Sequence, residues 1–285
     1  MNKTFTCACI ALFCVWVSLP AFGQETNTQK YQCVKTDNGA KLTQNDKTVW
    51  ELVVKTPEGK PYIHPIALPD GQVITEIRPQ DHKWHMGLWF SWKYINGVNY
   101  WEPSDGKTEV EDWSVEINGL SATAHIKLKY YNKKSPDVTV LSETRTILFS
   151  SPDEKGNYTI TSKHHFTVGE KAAEFDRTPP WKHGGGYAGI ALRMNDSVGK
   201  FKPTCSNGGT DMNSIRSQPA SWADFRSPES GLGVHLSVLK GTDKTRIYLQ
   251  NGGKNYIIPS PVHEGSITYQ PGESFDLEYE FRLGE

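Results

Sequence analysis

The chain has 285 residues, a formal net charge of −1 and nine tryptophans. Acidic and basic residues are interspersed without a basic run or stripe, which excludes the positive footprint that a nucleic-acid partner requires. No segment has the pattern of a basic amphipathic helix, so nothing indicates a protein that lies on a membrane surface. A chain of this length can bury a large hydrophobic core and needs no dense disulfide framework.

The N-terminal segment has the pattern of an export signal. A positive n-region precedes an apolar run from Phe5 to Leu19, and Ala21 and Gly23 are the small residues that a signal peptidase reads. The run, about 15 residues long, is short for a membrane span, which needs roughly 20. We therefore expect residues 1–23 to be a signal peptide cleaved near Gly23, with no membrane span and a periplasmic or secreted mature protein.

The remaining residues, 24–285, are predicted to form a single all-β domain. Short runs of β-branched and aromatic residues alternate with polar ones, and turn residues recur between them. No long segment keeps a helical apolar period, so the pattern is typical of a large antiparallel β-sandwich. In chain order, the predicted strands are Thr48–Val54, Val73–Ile77, Leu88–Tyr94, Val98–Trp101, Ala124–Tyr130, Thr144–Phe149, Tyr158–Val168, Tyr187–Met194, Gly233–Leu239, Thr245–Gln250 and Ser274–Leu283.

Two cysteines, Cys33 and Cys205, lie in the part of the chain that follows the predicted signal peptide. Outside the cytoplasm they could form one disulfide, or both could stay buried as free thiols. The sequence leaves both alternatives open, and it does not predict an oligomeric state.

The stretch Pro79–Pro103 combines histidines, carboxylates and four tryptophans in a loop followed by a hairpin. Asn96-Gly97 predicts the hairpin turn, because a type I′ turn needs both central residues at positive φ. Aromatic planes stack on the apolar faces of sugar rings, and histidine exchanges protons near neutral pH. The stretch is therefore predicted to bind and act on a sugar rather than a nucleotide.

The candidate site residues form three groups. The predicted catalytic residues are His64, His82, His85, Tyr62 and Asp81. The predicted substrate-binding residues are Trp84, Trp89, Trp101, Glu102, Arg193 and Trp222, with Trp84 and Trp101 preferred as the sugar platform and Arg193 either binding a substrate carboxylate or making an ordinary ion pair. A divalent metal bound by His82, His85 and His64 is an alternative, because histidines with this spacing suit zinc; no other cofactor is predicted.

Adjacent residues of one strand must face opposite sides of the sheet. Of Trp89 and Phe90, one is therefore predicted to face the core and the other an open surface. The pair His164-His165 is interpreted in the same way, and its inward member is expected to be a hydrogen-bonded core histidine.

Six motifs are distributed along the chain: His64-Pro65, Asp81-His82, His85-x-Gly87-Leu88-Trp89, Asn96-Gly97-Val98 with Trp101, Gly186–Arg193 and Trp222–Phe225. Together they resemble the bacterial domain family labelled methane oxygenase PmoA-like. The family usually has two adjacent histidines before Arg-Gly-Leu-Trp, whereas this chain has Trp84-His85-Met86-Gly87. The resemblance implies a galactose-mutarotase-like supersandwich and sugar chemistry in a secreted protein of a polysaccharide-degrading bacterium.

Two classes of function follow from these residues. The first is an enzyme that acts on an oligosaccharide or sugar acid as a lyase, dehydratase or epimerase, or alternatively as a glycoside hydrolase using Asp81 and Glu102. In the former case a histidine abstracts a proton next to a carbonyl or carboxyl group, and Tyr62 or a second histidine protonates the leaving oxygen. Arg193 or a metal would then stabilise the charge that develops. The second class is a non-catalytic glycan-binding module built on the tryptophans.

Overall fold

The computed structural model describes residue 1 and residues 30–182, 185–211, 214–215, 219–250 and 255–285. Except for Met1, the signal peptide expected at residues 1–23 lies outside the described residues. Across these ranges no helix is long and apolar enough to cross a membrane. The strands, in chain order, are β1 Tyr31–Thr36, β2 Gly39–Gln44, β3 Lys47–Val53, β4 Tyr62–Ile66, β5 Leu88–Ser91, β6 Tyr94–Ile95, β7 Val98–Asn99, β8 Gly106–Asn118, β9 Ser121–Asn132, β10 Ser135–Phe149, β11 Tyr158–Val168, β12 Ala173–Asp176, β13 Gly189–Met194, β14 Lys202–Cys205, β15 Trp222–Arg226, β16 Gly233–Lys240, β17 Arg246–Gln250, β18 Asn255–Ser260, β19 Ile267–Tyr269 and β20 Ser274–Gly284.

Two eight-stranded antiparallel sheets form the β-sandwich that the sequence predicts. The first sheet has the strand order β1-β2-β3-β4-β5-β13-β18-β17, and the second has the order β14-β15-β16-β20-β11-β10-β9-β8. A small sheet of order β19-β12-β6-β7 lies beside them. The chain passes from the first sheet to the second and back, so residues distant in sequence meet on each face.

The sandwich core follows directly from the two-residue period of the strands. Along β9 and β11 every second residue is buried, and these residues pack against the inner face of the first sheet. Trp50 of β3 stacks on Phe149 of β10 with ring centroids 3.9 Å apart, and Phe90 of β5 contacts Phe166 of β11 at 5.5 Å. Large aromatic residues therefore fill the space between the sheets.

The part of the first sheet formed by β5, β13, β18 and β17 buries both of its faces, and this positions the candidate site. Along β17, Ile247 and Leu249 belong to the sandwich core, whereas Tyr248 belongs to a second apolar cluster on the opposite face. We call this second face the outer face of the first sheet. It is covered by the loop of residues 76–87, in which Ile77 forms an isolated bridge with Met86.

Several local predictions can now be compared with the structure. The hairpin is confirmed, because Asn96 and Gly97 connect β6 and β7 with φ values of 51° and 72°. The predicted strand Val73–Ile77 is wrong. Its amides donate to separate segments, Ile74 to Ile66 and Glu76 to Arg193, so no continuous ladder forms. The two cysteines considered for a disulfide lie in β1 and β14, in different sheets, and both are free thiols.

Candidate functional site

Seven aromatic side chains meet on the outer face of the first sheet: Tyr62 of β4, which is described below, and six others. The six come from the covering loop, β5, the segment after β7, the segment before β13, β17 and β18, and we call them the aromatic cluster: Trp84, Trp89, Trp101, Tyr187, Tyr248 and Tyr256. Trp101 lies 5.5 Å from Trp89 and 5.0 Å from Tyr187 between ring centroids. Tyr248 stacks on Tyr256 at 5.6 Å with an interplanar angle of 12°.

Strand alternation explains how this cluster arises. Phe90 faces the sandwich core and Trp89 faces the aromatic cluster, as expected for successive residues of β5. In β13, Ile190 and Leu192 are core residues, whereas Arg193 lies on the outer face with the aromatic cluster. The predicted opposite orientation of Trp89 and Phe90 is therefore confirmed, although Trp89 is not open to solvent.

His85 lies among the rings of the aromatic cluster. Its imidazole is 4 % exposed, and its centroid is 5.0 Å from that of Trp89 and 5.9 Å from that of Tyr256. The loop holds it by two backbone hydrogen bonds, from the His85 amide to the His82 carbonyl (2.9 Å) and from the Arg78 amide to the His85 carbonyl (2.7 Å). The His82 ring is 4.7 Å from that of His85, so two of the predicted histidines come together.

Asp81 and His82 form a hydrogen-bonded pair at the tip of the covering loop. The Asp81 Oδ2 accepts a hydrogen bond from His82 Nδ1 at 2.7 Å, and the side chains are 38 % and 25 % exposed. Slight burial opposes ionisation of Asp81, but the hydrogen bond from His82 and the charge of Arg193 hold the pKa of this carboxyl below its usual value. Because the carboxylate accepts from Nδ1, the other imidazole nitrogen, Nε2, is left as the basic one.

Arg193 connects this pair to the first sheet. Its guanidinium lies 3.5 Å from Asp81 Oδ1 through Nη2 and donates to Glu76 Oε2 through Nε at 3.1 Å. Arg193 is 2 % exposed, and its Nη1 has no hydrogen-bond partner among the described residues. An open cleft of about 330 Å³ borders Glu76, Asp81 and Arg193. The ordinary ion pair considered from sequence is thus present, and Nη1 is a buried donor that the described residues leave unpaired.

The carboxylate of Glu102 is held in place by several hydrogen bonds. It accepts hydrogen bonds from Lys93 Nζ (2.5 and 2.6 Å), Asn99 Nδ2 (2.5 Å) and the Tyr187 hydroxyl (3.3 Å). Burial opposes its ionisation, but the charge and hydrogen bonds of Lys93 and the amide of Asn99 hold the pKa of Glu102 below its usual value. It orders the segment that carries Trp101.

The structure corrects the prediction of an open tryptophan platform. Trp89 and Trp101 are 2 % and 1 % exposed, because they pack on each other and on His85 and Tyr187. Of the predicted platform only Trp84 keeps a partly exposed surface. Tyr62, partly buried against the cluster, lies with Arg78 above its ring at 5.7 Å.

The structure also corrects the prediction that Trp222 belongs to the substrate-binding site. It lies on β15 of the second sheet, where the neighbouring Ala223 and Phe225 face the sandwich core and Trp222 therefore faces outward. Its indole stacks on His235 with centroids 5.5 Å apart. Because β15 belongs to the other sheet, Trp222 does not join the aromatic cluster.

His64 does not join the other two predicted histidines. Its Nδ1 is hydrogen bonded to Thr75 Oγ1 at 2.9 Å, and burial lowers the pKa of its imidazole. Within the described ranges, no three His, Cys, Asp or Glu side chains come together in a way that could hold a metal ion. The proposed ligand set of His64, His82 and His85 is therefore not assembled. His164 is the predicted core histidine, 1 % exposed and bonded to Glu143 at 2.7 Å.

Several site residues were missed from sequence. Tyr248, Tyr256 and Tyr187 complete the aromatic cluster, and a signal for the first two was available, since β17 and β18 are apolar at both parities. Trp181 is 84 % exposed, in the loop that leads to Tyr187. No local pattern distinguishes Lys60, a buried lysine beside Trp101.

The chain belongs to a family described as a family of unknown function (DUF6807), which matches residues 39–284. The description of this family gives no activity and does not mention the PmoA-like family. The resemblance to the PmoA-like family therefore stays a prediction. No curated protein matches the sequence.

The chain is similar in fold to several solved structures, all at very low sequence identity. An α-galactosidase from Lactobacillus brevis aligns with 91 % of this chain over 40 % of its own length, with 7 % identity and a TM-score of 0.45. A galactose mutarotase-like protein from Lactobacillus casei aligns with 89 % of this chain over 100 % of its own length, with 8 % identity and a TM-score of 0.43. A galactose 1-epimerase from Lactobacillus acidophilus aligns with 90 % of this chain over 99 % of its own length, with 10 % identity and a TM-score of 0.43. The chain thus spans less than half the length of the α-galactosidase. Because all three TM-scores lie below 0.5, these similarities do not support an assignment of function.

Proposed function

We propose that the protein is an exported carbohydrate-active enzyme that transfers protons on an oligosaccharide or sugar acid, as a lyase, dehydratase or epimerase. The observation that carries the proposal is the Asp81–His82 pair, which is partly exposed beside the aromatic cluster and the buried guanidinium of Arg193. The export signal expected at the N-terminus supports a periplasmic or secreted location.

His82 is the proposed general base. The Asp81 carboxylate orients its ring and stabilises the imidazolium that forms when Nε2 takes a proton from the sugar carbon. A carbon next to a carbonyl or carboxyl group is acidic enough for such a step, because the resulting charge moves onto oxygen. Trp84, a partly exposed ring 5.1 Å from that of His82, binds the apolar face of the sugar, and the buried rings behind it exclude water.

Arg193 is the proposed partner for the developing oxyanion. Its Nη1 is a buried donor without a protein acceptor, and an enolate-like oxygen would complete its hydrogen bonding. A buried donor without an acceptor is unfavourable in the free protein. Its hydrogen bond to the ligand oxygen becomes stronger as negative charge develops on that oxygen. His85 or Tyr62 supplies the acid that protonates a leaving oxygen, since both adjoin the same cluster.

Two-carboxylate glycoside hydrolysis is less well supported. That mechanism needs one carboxyl group that stays protonated near neutral pH. The pKa values of Asp81 and Glu102 are instead both held below their usual values by neighbouring cations and hydrogen bonds. Neither group is poised to act as a general acid.

Solvent exchange tests the proposal. In D₂O an epimerase should return a deuteron from His82 to the sugar carbon, whereas a lyase or dehydratase should expel the leaving oxygen and form a carbon–carbon double bond. NMR of a panel of oxidised sugars and sugar acids detects both products. His82→Gln should reduce the rate at least about a hundredfold, as expected for loss of a general base. The matched control is His165→Gln, because His165 forms a similar pair with Asp276 (2.6 Å) on the second sheet.

The outcomes separate the proposed classes. Deuterium incorporation or elimination that depends on His82 and not on His165 supports the enzyme. Binding of sugars with no incorporation or turnover would instead indicate a glycan-binding module, and turnover unaffected by His82→Gln would eliminate His82 as the base.

A further inference from the structure

A cavity of about 230 Å³ adjoins the aromatic cluster. The two share Trp84 and Trp101, so a ligand that covers Trp84 also reaches the cavity. We call it the lysine cavity, because Lys60, Lys107 and Lys133 all line it.

Among the residues that the structure describes, none of the three lysines forms an ion pair with a carboxylate. Each amine donates to a backbone carbonyl: Lys60 to Trp101 (2.8 Å), Lys107 to Pro57 (2.7 Å) and Lys133 to Ser104 (2.5 Å). Across the part of the chain that the structure describes, none has a carboxylate oxygen within the 4.0 Å of an ion pair. A carbonyl accepts a hydrogen bond but does not neutralise an ammonium charge, so each amine can still bind an anion.

The two acids that line the cavity are already neutralised. Glu58 accepts from Arg78 through both oxygens at 3.1 and 3.2 Å, and Glu102 is bound by Lys93 and Asn99. Their charges are therefore compensated by cations that do not line the cavity. Three lysines and two acids line the cavity, and both acids are already paired with other cations, so positive charge is in excess there.

Lys60 is the most unusual of the three. It is 7 % exposed, and a buried ammonium that is not in an ion pair destabilises a fold by several kcal/mol relative to an apolar side chain of similar size. Burial lowers the pKa of its amine to about 7, against the opposing charges of Glu102 and Glu58, while Lys107 and Lys93 lower it further. A nearby anion would favour the charged form and raise this pKa again.

We propose that the lysine cavity binds an anionic substituent of the sugar, a carboxylate or a sulfate ester, with Lys60 as the central contact. This inference rests on the proposed function, because it assumes that a sugar occupies the neighbouring aromatic cluster. It narrows the substrate class to acidic or sulfated saccharides.

The test compares saccharides that differ only in the anionic group. Calorimetry measures the affinity of trigalacturonate against its methyl ester, and of a sulfated disaccharide against its desulfated form. At pH 6 we expect the anionic member of one pair to bind about tenfold more tightly than its neutral counterpart. This factor corresponds to the free energy of about one charge-assisted hydrogen bond. Lys60→Met should reduce this preference to about twofold or less. Lys127→Met, at an exposed position of β9, should preserve it.

A second readout follows from proton linkage. Near pH 7.5 anion binding should take up protons in the wild type, seen as a dependence of the binding enthalpy on the buffer, and Lys60→Met should abolish the uptake. The anion preference should also fall as pH rises through about 7, because the free amine loses its charge.

The outcomes distinguish this inference from the proposed function. Equal affinity for charged and neutral members, or a preference that survives Lys60→Met, overturns the anion site while the sugar function stands. Retained binding of the neutral member by Lys60→Met shows that the variant is folded. If no saccharide of either kind binds, the sugar function fails and the inference fails with it.

Discussion

Replacing Glu143 by glutamine should strongly destabilise the protein, because Glu143 is the centre of a buried polar network beneath the site. Its carboxylate accepts hydrogen bonds from Arg145 (2.7 and 2.9 Å), His164 (2.7 Å) and the Tyr130 hydroxyl (2.5 Å), and its side chain is fully buried. Arg145 lies over the ring of Phe90, whose neighbour in β5 belongs to the aromatic cluster. The substitution keeps the shape of the side chain and leaves Arg145 buried without a counter-ion.

The pKa of Glu143 gives the size of the effect. Burial opposes ionisation, but Arg145 and His164 overcome it and lower the pKa from 4.5 to about 2. A shift of this size corresponds to about 3 kcal/mol of folding free energy. The folded pKa is the lower one, so this stability is fully present above pH 4.5 and is lost as the pH falls through about 2. Removing one partner of a buried ion pair usually costs about 3–5 kcal/mol, which agrees.

Urea unfolding followed by tryptophan fluorescence measures this effect. At pH 7, Glu143→Gln should lower the free energy of unfolding by about 3 kcal/mol, and the difference should shrink to about half by pH 3. Glu109→Gln is the control, because Glu109 forms an exposed pair with Lys129 at 3.4 Å and should cost less than about 1 kcal/mol. A loss below about 1 kcal/mol for Glu143→Gln, or a difference that does not depend on pH, would refute the reasoning.

Three further predictions concern the loop, the platform and the lysine cavity. In urea unfolding, Gly87→Ala should destabilise the protein by about 1–3 kcal/mol more than Gly119→Ala. Both glycines have positive φ, but only at Gly87 does an added Cβ meet a carbonyl oxygen, at 2.5 Å. Equal losses of stability would contradict the steric argument. Trp84→Ala should weaken saccharide binding at least about tenfold in calorimetry, whereas Trp222→Ala should leave it unchanged; the reverse would move the site to the second sheet. Lys60→Met should raise the free energy of unfolding at pH 7 by about 1–4 kcal/mol, because the lowered pKa of Lys60 costs stability at every pH below 10.5. A lower stability would contradict this, since it would mean that the hydrogen bond to the Trp101 carbonyl outweighs the cost of burying the charge.

The fold class could be predicted from sequence because strand alternation is a local signal. β11 was predicted with its observed bounds, and the hairpin at Asn96-Gly97 followed from the φ values that its turn demands. The segment Val73–Ile77 has the composition of a strand, yet its partners lie in three separate parts of the chain. Nothing local reveals that arrangement.

The site was predicted in part for the same reason. Asp81, His82 and His85 are close in sequence, so a single loop could bring them together. Tyr248 and Tyr256 reach the site only through the pairing of β17 with β18 and of β18 with β13. Burial of Trp101 likewise depends on Tyr187, which is distant in sequence.

The location of a bound saccharide tests the central claim most directly. A crystal structure with an oligosaccharide that the protein binds should show a sugar ring against Trp84, with a sugar oxygen within hydrogen-bond distance of Arg193 Nη1 or His82 Nε2. A saccharide bound instead on the outward face of the second sheet, for example against Trp222, with the cleft beside Asp81 empty, would contradict the account.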